Sequence, residues 1–105
     1  MFNGMGNAGN MQGMMKKVQK MQAEMLKMQE ELKTRTVETT VGGGALTIVA
    51  NGKKEIESIK IKPEAIDPDD VEMLQDMIVS GVNEALRKID EMTEREMSKI
   101  TGGMK

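Results

Sequence analysis

Residues 35–63 read RTVETTVGGGALTIVANGKKEIESIKIKP, and this stretch decides the fold. Arg35 to Val41 alternates through Val37, Thr39 and Val41, the β-branched pattern of a strand. Gly42-Gly43-Gly44 ends that run, and Ala45 to Ala50 follows as a second strand. Asn51-Gly52 is expected to supply the left-handed positions of a tight hairpin, after which Glu55 to Lys62 forms a third strand with Ile59 and Ile61 on one face. Ile56 has the opposite parity, which predicts a bulge near Glu57. In the middle strand Leu46, Ile48 and Ala50 share one face, and Ala45, Thr47 and Val49 share the other. Neither face reads as made for water, so both are expected to need cover.

Upstream, Met11, Met14, Val18, Met21, Met25, Met28 and Leu32 recur at alternating gaps of three and four, an a/d heptad seam. The spacing predicts a helix over 11–33, with Lys17, Glu24 and Glu31 at g and Gln22 and Gln29 at e. The Gly- and Asn-rich residues 1–10 read as a flexible tail. Downstream, Pro63 closes the third strand. Asp67-Pro68-Asp69-Asp70 reads as a helix start: an Asp cap, then Pro at the first helical position. Val71, Leu74, Ile78, Val82, Ala85, Ile89 and Met92 then line one face over about 69–100. Glu84 with Lys88 and Glu91 with Arg95 stand at i,i+4 spacing. Gly102-Gly103 is expected to end this helix, leaving 102–105 as a tail. The whole is one α+β domain over 11–101: a long N-terminal helix, a three-stranded antiparallel meander and a long C-terminal helix.

With 105 residues there is room for one core. At ~1.5 Å per residue the second helix is roughly 48 Å long, against about 34 Å across a compact sphere of this size. Part of that helix is expected to project, its stripe covered by the first helix or by a second copy. This predicts a homodimer with projecting helical arms and a contact surface comprising Leu46, Ile48, Ala50 and Met92.

The chain contains no histidine and no cysteine, which removes the usual general base, thiolate chemistry and most zinc ligation. Ser58, Ser80 and Ser98 have no imidazole to activate them. The Asp67–Asp70 run resembles a calcium loop only superficially, because Glu72 stands where glycine is needed and Ile78 where glutamate is needed. The triple glycine leads into a strand and not a helix, unlike a phosphate loop. The residues point to no catalytic constellation, metal or cofactor. The opening residues lack the pattern of a signal peptide, and no apolar run is long enough for a bilayer, so a soluble cytoplasmic chain is expected.

The net charge of −2 conceals an asymmetry: residues 1–35 carry six bases and three acids, whereas residues 63–105 carry five bases and eleven acids. Lys16, Lys20 and Lys27 take heptad positions f, c and c, away from the seam. A row so placed is either a plain solvated face or a phosphate-binding track on duplex DNA. A single aromatic, Phe2, leaves no stacking platform for single strands.

The element order and several motifs resemble the YbaB/EbfC nucleoid-associated proteins of bacteria. The likeness rests on Met11 to Leu32, on Gly42-Gly43-Gly44 with Ala45 to Gly52, on Ile59-Lys60-Ile61-Lys62-Pro63, and on Glu72 to Ile78 followed by Val82-Asn83-Glu84-Ala85. Gln75 and Lys62 depart from the usual Glu and Asp. The resemblance implies a cytoplasmic, nucleoid-bound homodimer that holds double-stranded DNA with little sequence preference and organises the nucleoid, with an influence on gene expression. It implies DNA contacts from Lys16, Lys17, Lys20 and Lys27, and further ones from Arg87, Lys88, Arg95 and Lys99. The alternative is a prefoldin-like or adaptor coiled-coil module that binds protein partners, against which an odd strand count and unequal helices weigh.

Overall fold

A computed structural model of the chain describes residues 2–102, with side-chain surroundings from residue 11. Helix α1 spans Phe2–Thr34, strands β1, β2 and β3 span Thr36–Val41, Leu46–Asn51 and Ile56–Ile61, a 3-10 turn covers Pro63–Ala65, and helix α2 spans Val71–Thr101. The strands form one antiparallel sheet in the order β1-β2-β3. Between β2 and β3 the register steps from Val49 opposite Ser58 to Ala50 opposite Ile56, which leaves Glu57 as the bulged residue the parity of Ile56 predicts.

Helix α1 starts at Phe2, nine residues before the expected start, so residues 2–10 continue the helix. No proline interrupts them, and once a helix is nucleated each added residue gains a hydrogen bond at low entropic cost. Residues 103–105, most of the expected C-terminal tail, lie outside the described residues, and Gly102 keeps right-handed helical dihedrals (φ −62°) instead of a left-handed cap.

The core is built on the α2 side of the sheet. Leu46, Ile48 and Ala50 are fully buried, and they join Leu32, Ala85, Ile89 and Met92 in one apolar cluster. The four residues expected at a dimer surface, Leu46, Ile48, Ala50 and Met92, are therefore covered within a single chain, because α2 and the end of α1 lie directly over β2. The other face of the sheet also differs from expectation. The register gathers Thr36, Glu38 and Thr40 with Thr47, Val49, Ser58 and Lys60 there, so the flanking strands make polar a face that looked apolar in β2 alone.

Two glycines set the packing. A β-carbon on Gly81 would meet Ile48 Cδ1 and lie 3.0 Å from Val41 Cγ2, so glycine lets α2 settle onto the sheet. A β-carbon on Gly52 would overlap the Leu32 carbonyl, and Gly52 N donates to Arg35 O at 3.0 Å. The β2–β3 hairpin thereby grips the end of α1. This changes the expected turn: the left-handed residue is Lys54 (φ 63°), not Asn51-Gly52. Asn51 Oδ1 accepts from Lys53 N and Glu55 N, and Lys54 N donates to Asn51 O, which closes a longer loop.

Helix α2 is capped by Asp70, whose carboxylate accepts from Met73 N at 3.2 Å. Asp67, the expected cap, instead accepts from Asp69 N in a turn before the helix. Consequently Val71 lies outside the buried stripe, 52% exposed.

The molecule measures 83 × 20 × 16 Å, with a radius of gyration of 22.3 Å, against about 13 Å for a compact chain of this length. The part that stands uncovered is the N-terminal part of α1. The C-terminal third of this helix packs on α2 through Met28 and Leu32, while every residue from 11 to 20 is exposed. The helices have 33 and 31 residues, so unequal length no longer argues against a prefoldin-like arrangement. The three-stranded sheet still does.

Candidate nucleic-acid interface

The projecting part of α1 carries Lys16, Lys17 and Lys20, and Lys27 follows where the helix begins to pack on α2; all four are exposed, and none forms an ion pair among the described residues. At 100° per residue Lys16, Lys20 and Lys27 fall within an arc of about 40°, spread along ~16 Å of helix. They form a true row. Lys17 lies roughly 100° round from Lys16, at the margin of the apolar seam. Among these described residues Glu24 is the one acid between positions 11 and 29, so the arm is locally positive.

The cations of α2 are differently placed. Arg87 donates to Glu84 through Nε at 3.1 Å and reaches Glu91 through Nη1 at 3.5 Å, and these carboxylates hold the guanidinium above its ordinary pKa. The Arg87 hydrogen bond in turn keeps the Glu84 carboxyl below its usual range. The expected pairs Glu84–Lys88 and Glu91–Arg95 are not formed. Arg87 takes both acids because its fork reaches i−3 and i+4 together, while Lys88 turns to the sheet and donates to Glu38 O at 3.2 Å. Lys99 pairs with Glu96 at 3.1 Å, and Arg35 reaches the same carboxylate at 3.4 Å. Arg95 is exposed and forms no ion pair among the described residues.

The sheet adds cations that the reading of the sequence assigned no role. Lys60 and Lys62, at the open β3 side, are exposed and form no ion pair among the described residues. The signal that could have found them is their alternation on an edge strand, where lysine also discourages edge-to-edge pairing.

Among the described residues no group of three or more His, Cys, Asp or Glu side chains could hold a metal ion, and no helix is long and apolar enough to cross a membrane. Fold and surface together define a class: an elongated α-β-β-β-α protein whose first helix displays exposed lysines with no ion pair among the described residues. The family model described as the YbaB/EbfC DNA-binding family matches residues 5–104. The chain belongs to that family, which is one of DNA-binding proteins and not of enzymes. It is 63% identical over 103 residues to a nucleoid-associated protein of Ruminiclostridium cellulolyticum, covering 98% of this chain and 90% of the relative. It is 64% identical over 97 residues to one of Pelotomaculum thermopropionicum, covering 92% of each. In fold it is similar to an uncharacterized protein of Helicobacter pylori seen in a crystal structure, with a TM-score of 0.66 at 20% identity, over 80% of this chain and 88% of that one.

Proposed function

We propose that this chain is a nucleoid-associated protein that binds the backbone of double-stranded DNA as a homodimer, with little sequence preference, and so organises the nucleoid. The observation that carries this reading is the contrast between the two helices. On α2, Arg87 and Lys99 are held by carboxylates and Lys88 by a carbonyl, whereas Lys16, Lys17, Lys20 and Lys27 of α1 have no such partners among the described residues. A phosphate contact made by Lys16, Lys20 or Lys27 costs no existing ion pair. Lys17 and Arg95 stand beside this set as secondary contacts. The relatives' names and the family's description support DNA and the nucleoid as partner and place.

Long lysine stems carrying point charges fit phosphate oxygens better than base edges, so binding is expected to follow backbone geometry. Six lysines per dimer, three from each arm, correspond to a slope of about −5 in log affinity against log salt. Gel retardation of duplex DNA across a salt series tests this. The Lys16→Glu, Lys20→Glu, Lys27→Glu variant, with native circular dichroism, should lose retardation. Undiminished binding by that variant would refute the assignment.

A further inference from the structure

The β2–β3 loop holds a reactive dipeptide under restraint. Asn51-Gly52 is one of two Asn-Gly links in the chain, the other being Asn3-Gly4. In such a link the nitrogen of glycine, which carries no β-carbon to shield it, can close on the asparagine side-chain carbon and expel ammonia. Here Asn51 is buried at 7% exposure, and both ends of its side chain are engaged. Oδ1 accepts from Lys53 N at 2.9 Å and from Glu55 N at 3.3 Å, while Nδ2 donates to Glu57 Oε2 at 3.0 Å and to Glu55 Oε1 at 3.4 Å. The attacking atom is held as well. Gly52 N donates to Arg35 O at 3.0 Å, and Gly52 lies against the Leu32 carbonyl. Asn51 ends β2, and closing the ring requires the Asn51–Gly52 peptide to turn out of the extended strand conformation about the Asn51 Cα–C bond. That turn breaks the bond to Arg35 and moves Gly52 where the backbone of Leu32 leaves no room.

We propose that Asn51 is a latent deamidation site, held closed by the grip of the β2–β3 hairpin on α1 and released when that grip opens. The chemistry needs only water. Gly52 N gives its proton to solvent and its electron pair forms the N–Cγ bond; the Cγ–Nδ2 bond breaks as Nδ2 takes up a proton and leaves as ammonia. Water then adds to one of the two carbonyl carbons of the cyclic imide, and the ring C–N bond breaks to leave aspartate or isoaspartate at position 51. Neither product fits the loop. Aspartate sets a carboxylate where the Nδ2 donor now faces the carboxylates of Glu55 and Glu57, so attraction becomes repulsion. Isoaspartate threads the backbone through the side-chain methylene and so displaces the pairing of β2 with β3. Opening of the junction between hairpin and arm is therefore recorded covalently, and a chain so marked does not rebuild that junction.

The full chain is incubated at mildly alkaline pH in native buffer and in denaturing urea, and the mass gain of amide-to-acid conversion is located by peptide mass spectrometry. Asn51 should convert at least about tenfold more slowly in native buffer than in urea. In urea it should keep pace with Asn3, which has the same glycine neighbour. Equal Asn51 rates in the two buffers overturn the proposal, and so does an Asn51 that lags far behind Asn3 in urea, since the local sequence and not the fold would then shield it. On dilution from urea, unreacted chains and chains converted at Asn3 alone should regain native circular dichroism, and chains converted at Asn51 should not. Full recovery of the Asn51-converted chains overturns the covalent record. Independently, Asn51→Asp should lower the urea midpoint, and adding Glu57→Gln should restore part of the loss. An unchanged midpoint in Asn51→Asp, or no recovery in the double variant, overturns the repulsion argued for the aspartate product.

Discussion

The carbonyl of Leu32 and the α-carbon of Gly52 stand so close that no side chain fits between them. Leu32 ends the seam of α1 inside the core, and Gly52 is the first residue of the β2–β3 loop. The contact therefore fixes the angle at which the arm leaves the sheet. Two ion pairs reinforce the same junction: Lys54 to Asp90 at 2.7 Å ties the hairpin to α2, and Arg35 to Glu96 ties the start of β1 to it.

Gly52→Ala should be among the most damaging small substitutions in this protein. The obstacle is backbone, which cannot rotate away, so a loss on the order of 2 kcal/mol or more is expected. Urea unfolding monitored by circular dichroism reads it. A change within a few tenths would show that the hairpin moves freely off the arm.

Gly81→Ala sets two effects against each other. Alanine favours a helix interior by about 1 kcal/mol over glycine, but its β-carbon meets the fully buried Ile48 Cδ1. Overpacking a close-packed core costs ~1 to 3 kcal/mol, so net destabilisation is expected. Ile48→Val removes the obstructing methyl. The double variant should therefore be more stable than the sum of the two single losses predicts, a coupling readable in a double-mutant cycle.

Glu96 makes stability depend on pH in a stated direction. Its carboxyl lies below the ordinary range because Lys99 donates to it and, more weakly, because Arg35 is near. A carboxyl whose pKa is lower folded than unfolded stabilises the fold above the unfolded value, and that contribution disappears as pH falls through the folded value. The difference in melting temperature between the native chain and Glu96→Gln should therefore be present at about pH 7 and shrink progressively as pH falls below the ordinary carboxylate range. A difference that persists in acid would mean that Glu96 acts by packing.

Arg87 and Lys20 offer a comparison on DNA. Arg87 is engaged by two glutamates and Lys20 by none among the described residues. Lys20→Ala should lower duplex affinity and reduce the salt slope by about two units per dimer, whereas Arg87→Ala should change both much less. Equal effects would place the DNA on α2 as well as on the arm.

The elements that were legible in the sequence are those governed by local periodicity. The gaps of three and four from Met11 to Leu32 announce α1, and alternation with one parity break announces the three strands and the bulge at Glu57. The basic row could be placed from heptad positions alone. What could not be read depends on distant neighbours. Gly52 resembles a turn glycine until Leu32 is set against it, and Asn51-Gly52 then yields the left-handed position to Lys54. Asp67 and Asp70 are equivalent as candidate caps until Asp67 is consumed by its own turn. Lys88 leaves Glu84 to Arg87 only because a carbonyl of β1 lies within reach. The buried position of Leu46, Ile48 and Ala50 follows from where α2 lands, which the strand pattern does not contain.

An object 83 Å long and at most 20 Å thick also travels unlike a ball of the same mass. It tumbles slowly end over end, spins quickly about its long axis, and meets more friction than its weight suggests. A lone copy would leave a sizing column early enough to pass for a pair, so stoichiometry has to be weighed by scattering or sedimentation equilibrium and not inferred from elution.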